Sequence, residues 1–521
     1  MPMELRSGVE MLGSGAMPRT TVLPSERAAQ LTELPLARAA QLIREGQMTS
    51  LAYAEALLEA CDKGAQLNAF ISIDATMVLE QARAADLHRA RGLPLGPLHG
   101  VPIAIKDNIN TAALPTSGGT AALRHHRPAA NAVVVDRLRR AGAILLGKTG
   151  LHELSMGWTG DNPNFGRVRN PHAPDRVAGG SSSGSAAAVA ARMVPAALGT
   201  DTNGSIRIPA ALCGTVGYRP SLGRYPLDGV MPLAHTLDTV GLIARTVADI
   251  RLLDDVLHVA VGGRPAEPAL SRNPRVGVAS DYYLGNLDRE VEQIFTDAVE
   301  RLSTAGVEIV RADFPELHEL VPGTAASIIA HEAPEMLKLY LAAHAPAVTM
   351  AALTARLGED LHLGSGDSSA LVADYSDALE RRQQLVTIYR RHFAAQRLDA
   401  LMHPVLLMPA PLQGAKRVSP APDVQINGQM VPAKIAYGRN VAPLSLVGGA
   451  ALVLPAGLSE ARLPVGICLE APSGHDDALL QLGLDVSSIL GPSPCPPLGN
   501  CTAFAGSIAG PPHVKGIDDD H

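Results

Sequence analysis

Residues 179–211 read GGSSSGSAAAVAARMVPAALGTDTNGSIRIPAA. A Gly/Ser run leads into an alanine-rich helix at about 184–193. A short apolar strand follows, and a second Gly/Ser turn comes at Asn203–Ser205. A run of this kind between floppy segments would be a linker, but here structured apolar sequence flanks it on both sides. Ser181, Ser182, Ser183 and Ser185 crowd the start of the helix, and Ser205 lies in the tight turn DTNGS. A serine hydroxyl becomes a nucleophile only when a neighbour accepts its proton. Backbone N–H groups of a Gly-permitted turn, here Thr202, Asn203, Gly204 and Ser205, can meet the oxyanion formed on an attacked carbonyl.

The proton acceptor is sought upstream. VPIAI at 101–105 is an apolar strand candidate, and Lys106 follows it directly, ahead of Asp107 and Asn108. A lysine at the end of a buried strand loses hydration, which lowers its pKa and frees the amine to act as a base. An ion-paired or snorkelling lysine at a strand end is the ordinary alternative. Lysine is scarce, with seven in the chain (63, 106, 148, 338, 416, 434 and 515).

Around these stretches helix and strand signals alternate. Helices are expected at Leu34–Arg44, Leu51–Ala60 (with Thr49 or Ser50 as cap), Ala75–Arg91, Ala129–Ala141, Thr246–Val259 and about 288–304. Strands are expected at Ala143–Leu146, Val276–Ala279, Val307–Val310, Ala400–Leu407, Ala451–Leu454 and Val465–Leu469. The pattern is that of an α/β layered fold. Residues 325–396 read as a helical excursion with a Gly/Ser break at 364–369, of the kind that forms a cover over a site. Residues 1–25 are expected to be a loose arm, 26–490 one catalytic domain, and 491–521 an irregular tail. No repeat of solenoid length is found.

Composition narrows the function. The 521 residues include 49 Gly and 40 Pro, aromatics make only 3%, and hydrophobic residues make 46%. That is ample for a buried site and excludes a wholly disordered chain. The formal charge of −7, with no dense basic patch, argues against nucleic acid as a partner. No apolar run is long enough to span a membrane. MPMELRSGVEMLGSG at the start has no signal-peptide core, and the expected location is cytoplasmic. The five cysteines (61, 213, 468, 495, 501) lack a CxxC, so neither a disulfide framework nor a zinc knuckle is read. HExxH, GxxxxGK[ST] and a strand-to-helix GxGxxG are absent, and no GxSxG nucleophile elbow is read, although GSSSG at 180–184 has that spacing. His152, His172, His235 and His403 stand isolated in sequence, so no metal ligand and no cofactor are expected. A metal-free serine site served by lysine is the economical reading.

Taken together, GGSSSGSAAA, GTDT-x-GSIRIPA and the following CG-x-VGYRP resemble the signature of the amidase signature family of amide hydrolases. The resemblance extends through GVPIAIKDNI (100–109), GAILLGKTGLHELSMG (142–157), HTLDTVGLIARTVAD (235–249) and LPVGICLEAPSGHDDALL (463–480). It implies a central mixed sheet covered by helices on both faces, with a helical lid region. It also implies Lys106 as general base, Ser181 as bridging serine on a cis peptide bond, Ser205 as nucleophile, and N–H groups of Thr202, Asn203, Gly204 and Ser205 as oxyanion hole. Ser182, Asp201 and Arg207 become supporting residues. Two positions depart from the pattern: Asn203 and Ser183 stand where glycine is common, and Asn203 is expected to tolerate a left-handed backbone there.

Within the family, LHELSMG (151–157), AALCGTVGYRPSLGRYPLDGVMPL (210–233), DYYLGNLD (281–288), FPELHEL (314–320) and HEAPEMLKLYL (331–341) resemble the indoleacetamide and mandelamide hydrolase branch. A small aryl or arylalkyl amide substrate is implied. Aryl carbamates, anilides and esters remain open, as does a glutamine-dependent amidotransferase subunit. A homodimer is a habit of the family. Met156, Gly157 and Trp158 are expected near the acyl pocket. Trp158, the single tryptophan, reads either as a wall for an aryl group or as core packing.

Overall fold

The computed structural model describes residues 25–258, 273–358, 368–414 and 423–497. The arm at 1–24, the greater part of the 364–369 break and the tail beyond 497 lie outside the described residues.

Thirteen strands are described, in chain order β1 (Phe70–Ile73), β2 (Pro102–Lys106), β3 (Ile144–Thr149), β4 (Ala196–Asp201), β5 (Val216–Arg219), β6 (Thr239–Ala244), β7 (Arg275–Val278), β8 (Glu308–Arg311), β9 (Ala400–Pro404), β10 (Val424–Ile426), β11 (Gln429–Val431), β12 (Ala450–Leu458) and β13 (Pro464–Ala471). Eleven form one sheet in the order β1-β3-β2-β4-β6-β5-β12-β13-β9-β7-β8, and β10 and β11 make a separate hairpin. β2 runs parallel to β3 and β4, and β7 runs parallel to β8 and β9. The central pairings from β4 through β6, β5, β12 and β13 to β9 are antiparallel, so the sheet is mixed.

Side-chain alternation explains why helices lie on both faces. Along β12, Ala450, Leu452 and Leu454 enter one apolar cluster, while Ala451 and Val453 enter the other. The first cluster includes Leu57 of helix Ser50–Lys63, Val189 of Ser183–Ala190, Ile250 of Val247–Leu257 and Leu482 of Asp476–Leu490. The second includes Leu212 of helix Arg207–Cys213, Ile328 of Thr324–His344, Leu385 of Ser368–Gln396 and Leu446 of Ala442–Val447. A sheet buried on both sides needs apolar residues at every position, which is why its strands read as short runs.

Most expected elements are found with ends shifted by a few residues. Thr49, not Ser50, caps its helix, accepting from the Ala52 N–H at 3.1 Å. β1, β5, β6 and the β10–β11 hairpin were not expected. β1 is only four residues long, and β5 and β6 sit in stretches rich in Gly and Thr that read as loop. Cys61, Cys213 and Cys468 are free and buried, while Cys495 is disulfide-bonded, which its spacing did not announce. Among the described residues no helix is long and apolar enough to cross a membrane.

Candidate active site

Parallel strands β2 and β4 end side by side, in register at Ile105 and Leu198. In α/β sheets such carboxyl ends are where ligands bind, because the chain there turns outward and frees its side chains. β2 ends on Lys106 and β4 on Asp201. The turn after β4 carries Ser205, and helix Ser183–Ala190, which follows Ser181, packs against β4. The fold therefore gathers residues that are 75 and 24 positions apart in sequence.

Lys106 has no solvent exposure. Its Nζ lies 2.8 Å from Ser181 Oγ and 2.8 Å from Thr200 Oγ1. Burial lowers its pKa to about 7, against the opposing pull of Asp201 and Asp238. No carboxylate forms an ion pair with it among the described residues. The Gly180–Ser181 peptide bond is cis. Ser182 ties this segment to β4: its Oγ donates to the Thr200 carbonyl at 3.1 Å, and its N–H donates to the Ser205 carbonyl at 3.2 Å. Ser205 is buried, and its Oγ has no hydrogen bond to Ser181 among the described contacts. Catalytic hydrogen bonds are often open before substrate binds.

Asp201 organises the turn. Its carboxylate accepts the Gly204 N–H at 2.9 Å and the Ile206 N–H at 3.1 Å. It also receives Arg207 through Nε and Nη2, both at 3.1 Å, and Arg219 through Nη1 at 2.8 Å. Burial opposes the charge of Asp201, but the two guanidiniums hold its carboxyl well below the usual carboxylate range. Arg207 in turn donates to the Val441 carbonyl and to Ser445 Oγ. The Gly204 N–H is thus already engaged, whereas those of Thr202, Asn203 and Ser205 take no hydrogen bond among the described residues. Gly204 carries the left-handed backbone (φ +98°), and a Cβ there would meet Val441 Cγ2 at 2.7 Å. Asn203 has no positive φ, which corrects the expectation that its tolerance of such angles matters.

Thr200, Asn108 and Asp238 were missed by the sequence reading. Asn108 Nδ2 donates to Thr200 Oγ1 at 3.1 Å, and Asp238 accepts from Thr202 Oγ1 at 2.5 Å and from the N–H groups of Leu233 and Ala234. Thr200 stands one residue before the Asp201 that was read, and hydroxyls at alternate positions of a strand were the available signal. Arg219 and Asp238 gave none, being brought in by sheet order.

Met156 packs in a small apolar cluster with Leu154, Met231, Leu337 and Tyr340 of helix Thr324–His344. Gly157 abuts the His152 ring, where a Cβ would come within 2.3 Å. The Trp158 backbone lies against Gly180, the neighbour of Ser181, and its ring stacks on Tyr437 with centroids 6.3 Å apart. The same helix anchors to the site loops: Tyr340 Oη donates to Asn110 Oδ1 at 2.6 Å, and the Thr236 hydroxyl donates to Glu332. His403, isolated in sequence, joins Cys468 and Glu470 in a buried group that could offer metal ligands. Its Nε2 is 3.0 Å from Glu470, and Arg207 already stands 3.9 Å from that carboxylate. A divalent cation there would face a guanidinium, which does not favour a metal role.

Residues 52–480 match the family model described as Amidase. The chain is 39% identical over 488 residues to mandelamide hydrolase of Pseudomonas putida, covering 89% of this chain and 93% of that protein. It is 37% identical over 462 residues to indoleacetamide hydrolase of Agrobacterium vitis, covering 86% and 95%. A crystal structure of an amidase superposes with a TM-score of 0.76 at 34% identity, covering 88% of this chain and all of that one. The family match spans the strands that carry Lys106 and Asp201 and the turn that carries Ser205, and the chain belongs to the amidase signature family of amide hydrolases.

Proposed function

We propose that this enzyme hydrolyses small aryl or arylalkyl amides through an acyl-enzyme, with Ser205 as nucleophile, Ser181 as bridge and Lys106 as base. The observation that carries the reading is the buried Lys106 amine, 2.8 Å from Ser181 Oγ and held near neutrality by burial. A base with its pKa near the working pH is both available and strong enough to move a proton. Neutral Lys106 takes the Ser181 proton as Ser181 takes that of Ser205, and Ser205 Oγ attacks the carbonyl carbon. The N–H groups of Thr202, Asn203 and Ser205, which donate no hydrogen bond among the described residues, serve the oxyanion. Lys106 then returns the proton to the leaving nitrogen through Ser181, and water cleaves the ester by the reverse relay.

The aryl preference is supported by the Trp158–Tyr437 ring stack, on a residue whose backbone lies against Gly180, and by the names of the two relatives. The span 26–490 is read as one catalytic domain. The helices of 325–396 act as its cover, tied to the site by Tyr340 and Glu332. A panel of indole-3-acetamide, mandelamide, an anilide, an aryl carbamate and glutamine tests the reading. Fastest turnover on an arylalkyl amide, lost in Ser205→Ala, is expected. A carbamate-first order would move the substrate class to urethanes, and a glutamine-first order would move it to ammonia transfer. Undiminished hydrolysis by Ser205→Ala would overturn the mechanism.

A further inference from the structure

Thr200 Oγ1 has two neighbours that matter to its single proton: Lys106 Nζ at 2.8 Å and Asn108 Nδ2 at 3.1 Å. An amide nitrogen cannot accept a hydrogen bond. A neutral amine has two N–H bonds and one lone pair. For Lys106 to take a proton from Ser181, that lone pair must face Ser181, so an N–H points at Thr200. Thr200 Oγ1 then accepts twice, and its own proton must leave in a third direction. Were that proton given to Lys106 instead, it would occupy the lone pair and block the base.

The third direction is provided for. A cavity of about 20 Å³ is lined by Asn108, Ser155, Thr200, Thr202, Asp238 and Thr239 and by apolar residues of 227–233. That volume holds about one water. Asn108 Oδ1 is buried there without a hydrogen-bond partner. Asp238 Oδ1 accepts only from Thr202, so it keeps a lone pair. One donor and two acceptors, on Thr200, Asn108 and Asp238, are therefore among the polar residues that border a space of the right size.

We propose that this cavity is a built water site. Its water accepts the Thr200 hydroxyl proton and donates to Asn108 Oδ1 and the Asp238 carboxyl, and so keeps the Lys106 lone pair turned to Ser181. The inference rests on the reading of Lys106 as base. Asn108 is then a positioning residue, and no proton is transferred through the water. The charged groups facing Lys106 are Asp201, with Arg207 and Arg219 upon it, and Asp238 on the loop before β6. The adjacent Asp107 is paired with Lys148.

An atomic-resolution crystal structure of the full chain should show a water within hydrogen-bond reach of Thr200 Oγ1, Asn108 Oδ1 and Asp238. A dry cavity overturns the proposal, as does an Asn108 amide turned to present its oxygen to Thr200. In kinetics, Asn108→Leu removes the acceptor. The kcat/KM plateau should fall about tenfold, and its acid limb should move to lower pH, because a proton donated to the lone pair favours the neutral amine. A lowered plateau with an unmoved limb, or no change, overturns the proposal. If Asn108→Leu does not fold, the wild-type crystal structure decides alone. Failure of the underlying reading is seen separately, as activity retained in Ser205→Ala whether or not the water is present.

Discussion

Lys106 and Lys148 stand on neighbouring parallel strands, β2 and β3, with Lys148 in register with Ile105. Both are without solvent exposure, and burial lowers the pKa of both. What surrounds them differs. Lys148 Nζ has the Asp107 carboxylate at 3.2 Å, the Ile109 carbonyl at 2.8 Å and Thr116 Oγ1 at 2.7 Å. Lys106 has two hydroxyls and no carboxylate partner among the described residues. A buried ammonium with an anion and carbonyl oxygens around it is held charged and serves the fold. One surrounded by hydroxyls alone has little to stabilise its charge, and so remains a usable base. Sequence position alone separates them poorly, since each sits near the end of an apolar strand.

The largest expected effect breaks this pair apart in activity. Lys106→Ala should lower kcat/KM by about 10²–10⁴-fold, measured on the amide that the panel ranks first, without loss of folded protein. Lys148→Met should do the opposite. It leaves the Asp107 charge buried and uncompensated, at a cost of about 3–5 kcal/mol, read from chemical denaturation. Equal losses of activity per folded molecule in the two variants would erase the distinction.

Stability against pH sharpens the comparison. With a folded pKa near 7 and an ordinary value of 10.5, Lys106 binds fewer protons folded than unfolded between those limits. Its contribution to stability therefore rises with pH across that window. Lys106→Met should be more stable than the wild type below pH 7, and its advantage should fade as pH approaches 10.5. An advantage independent of pH would mean that the amine is not desolvated in the way described.

A smaller effect is expected where the site meets substrate. Trp158→Ala or Tyr437→Ala should lower kcat/KM for an arylalkyl amide relative to acetamide by a few-fold to about tenfold. Equal loss on both amides would assign the stack to core packing.

How much of this could be read in the chain depends on distance along it. Lys106, Ser181 and Ser205 could be picked out as candidates because each sits in a local motif, and the resemblance linked those motifs across 75 and 24 residues; the structure brings Lys106 and Ser181 into contact. The GTDTNGS turn announced Asp201 but not its second guanidinium, Arg219, which arrives from β5. Thr200 was overlooked because a threonine in a strand is ordinary until the strand beside it is known to end in lysine. Tyr437 and Glu332 were invisible for the same reason, since nothing local marks a residue that works by stacking or by anchoring another element. In the fold, long amphipathic helices and apolar strands were found. β1, β5 and β6 were not, because four to six residues with Gly or Thr carry too little periodicity.

The most direct measurement follows the rate at which a serine-reactive phosphonate labels the wild-type enzyme as pH is varied, with the adduct located by peptide mass. The account predicts a single adduct on Ser205, formed at a rate that rises with a midpoint near pH 7 as Lys106 loses its proton. Labelling elsewhere, or a rate on Ser205 that is flat through neutrality and climbs only near the ordinary lysine value, would contradict it.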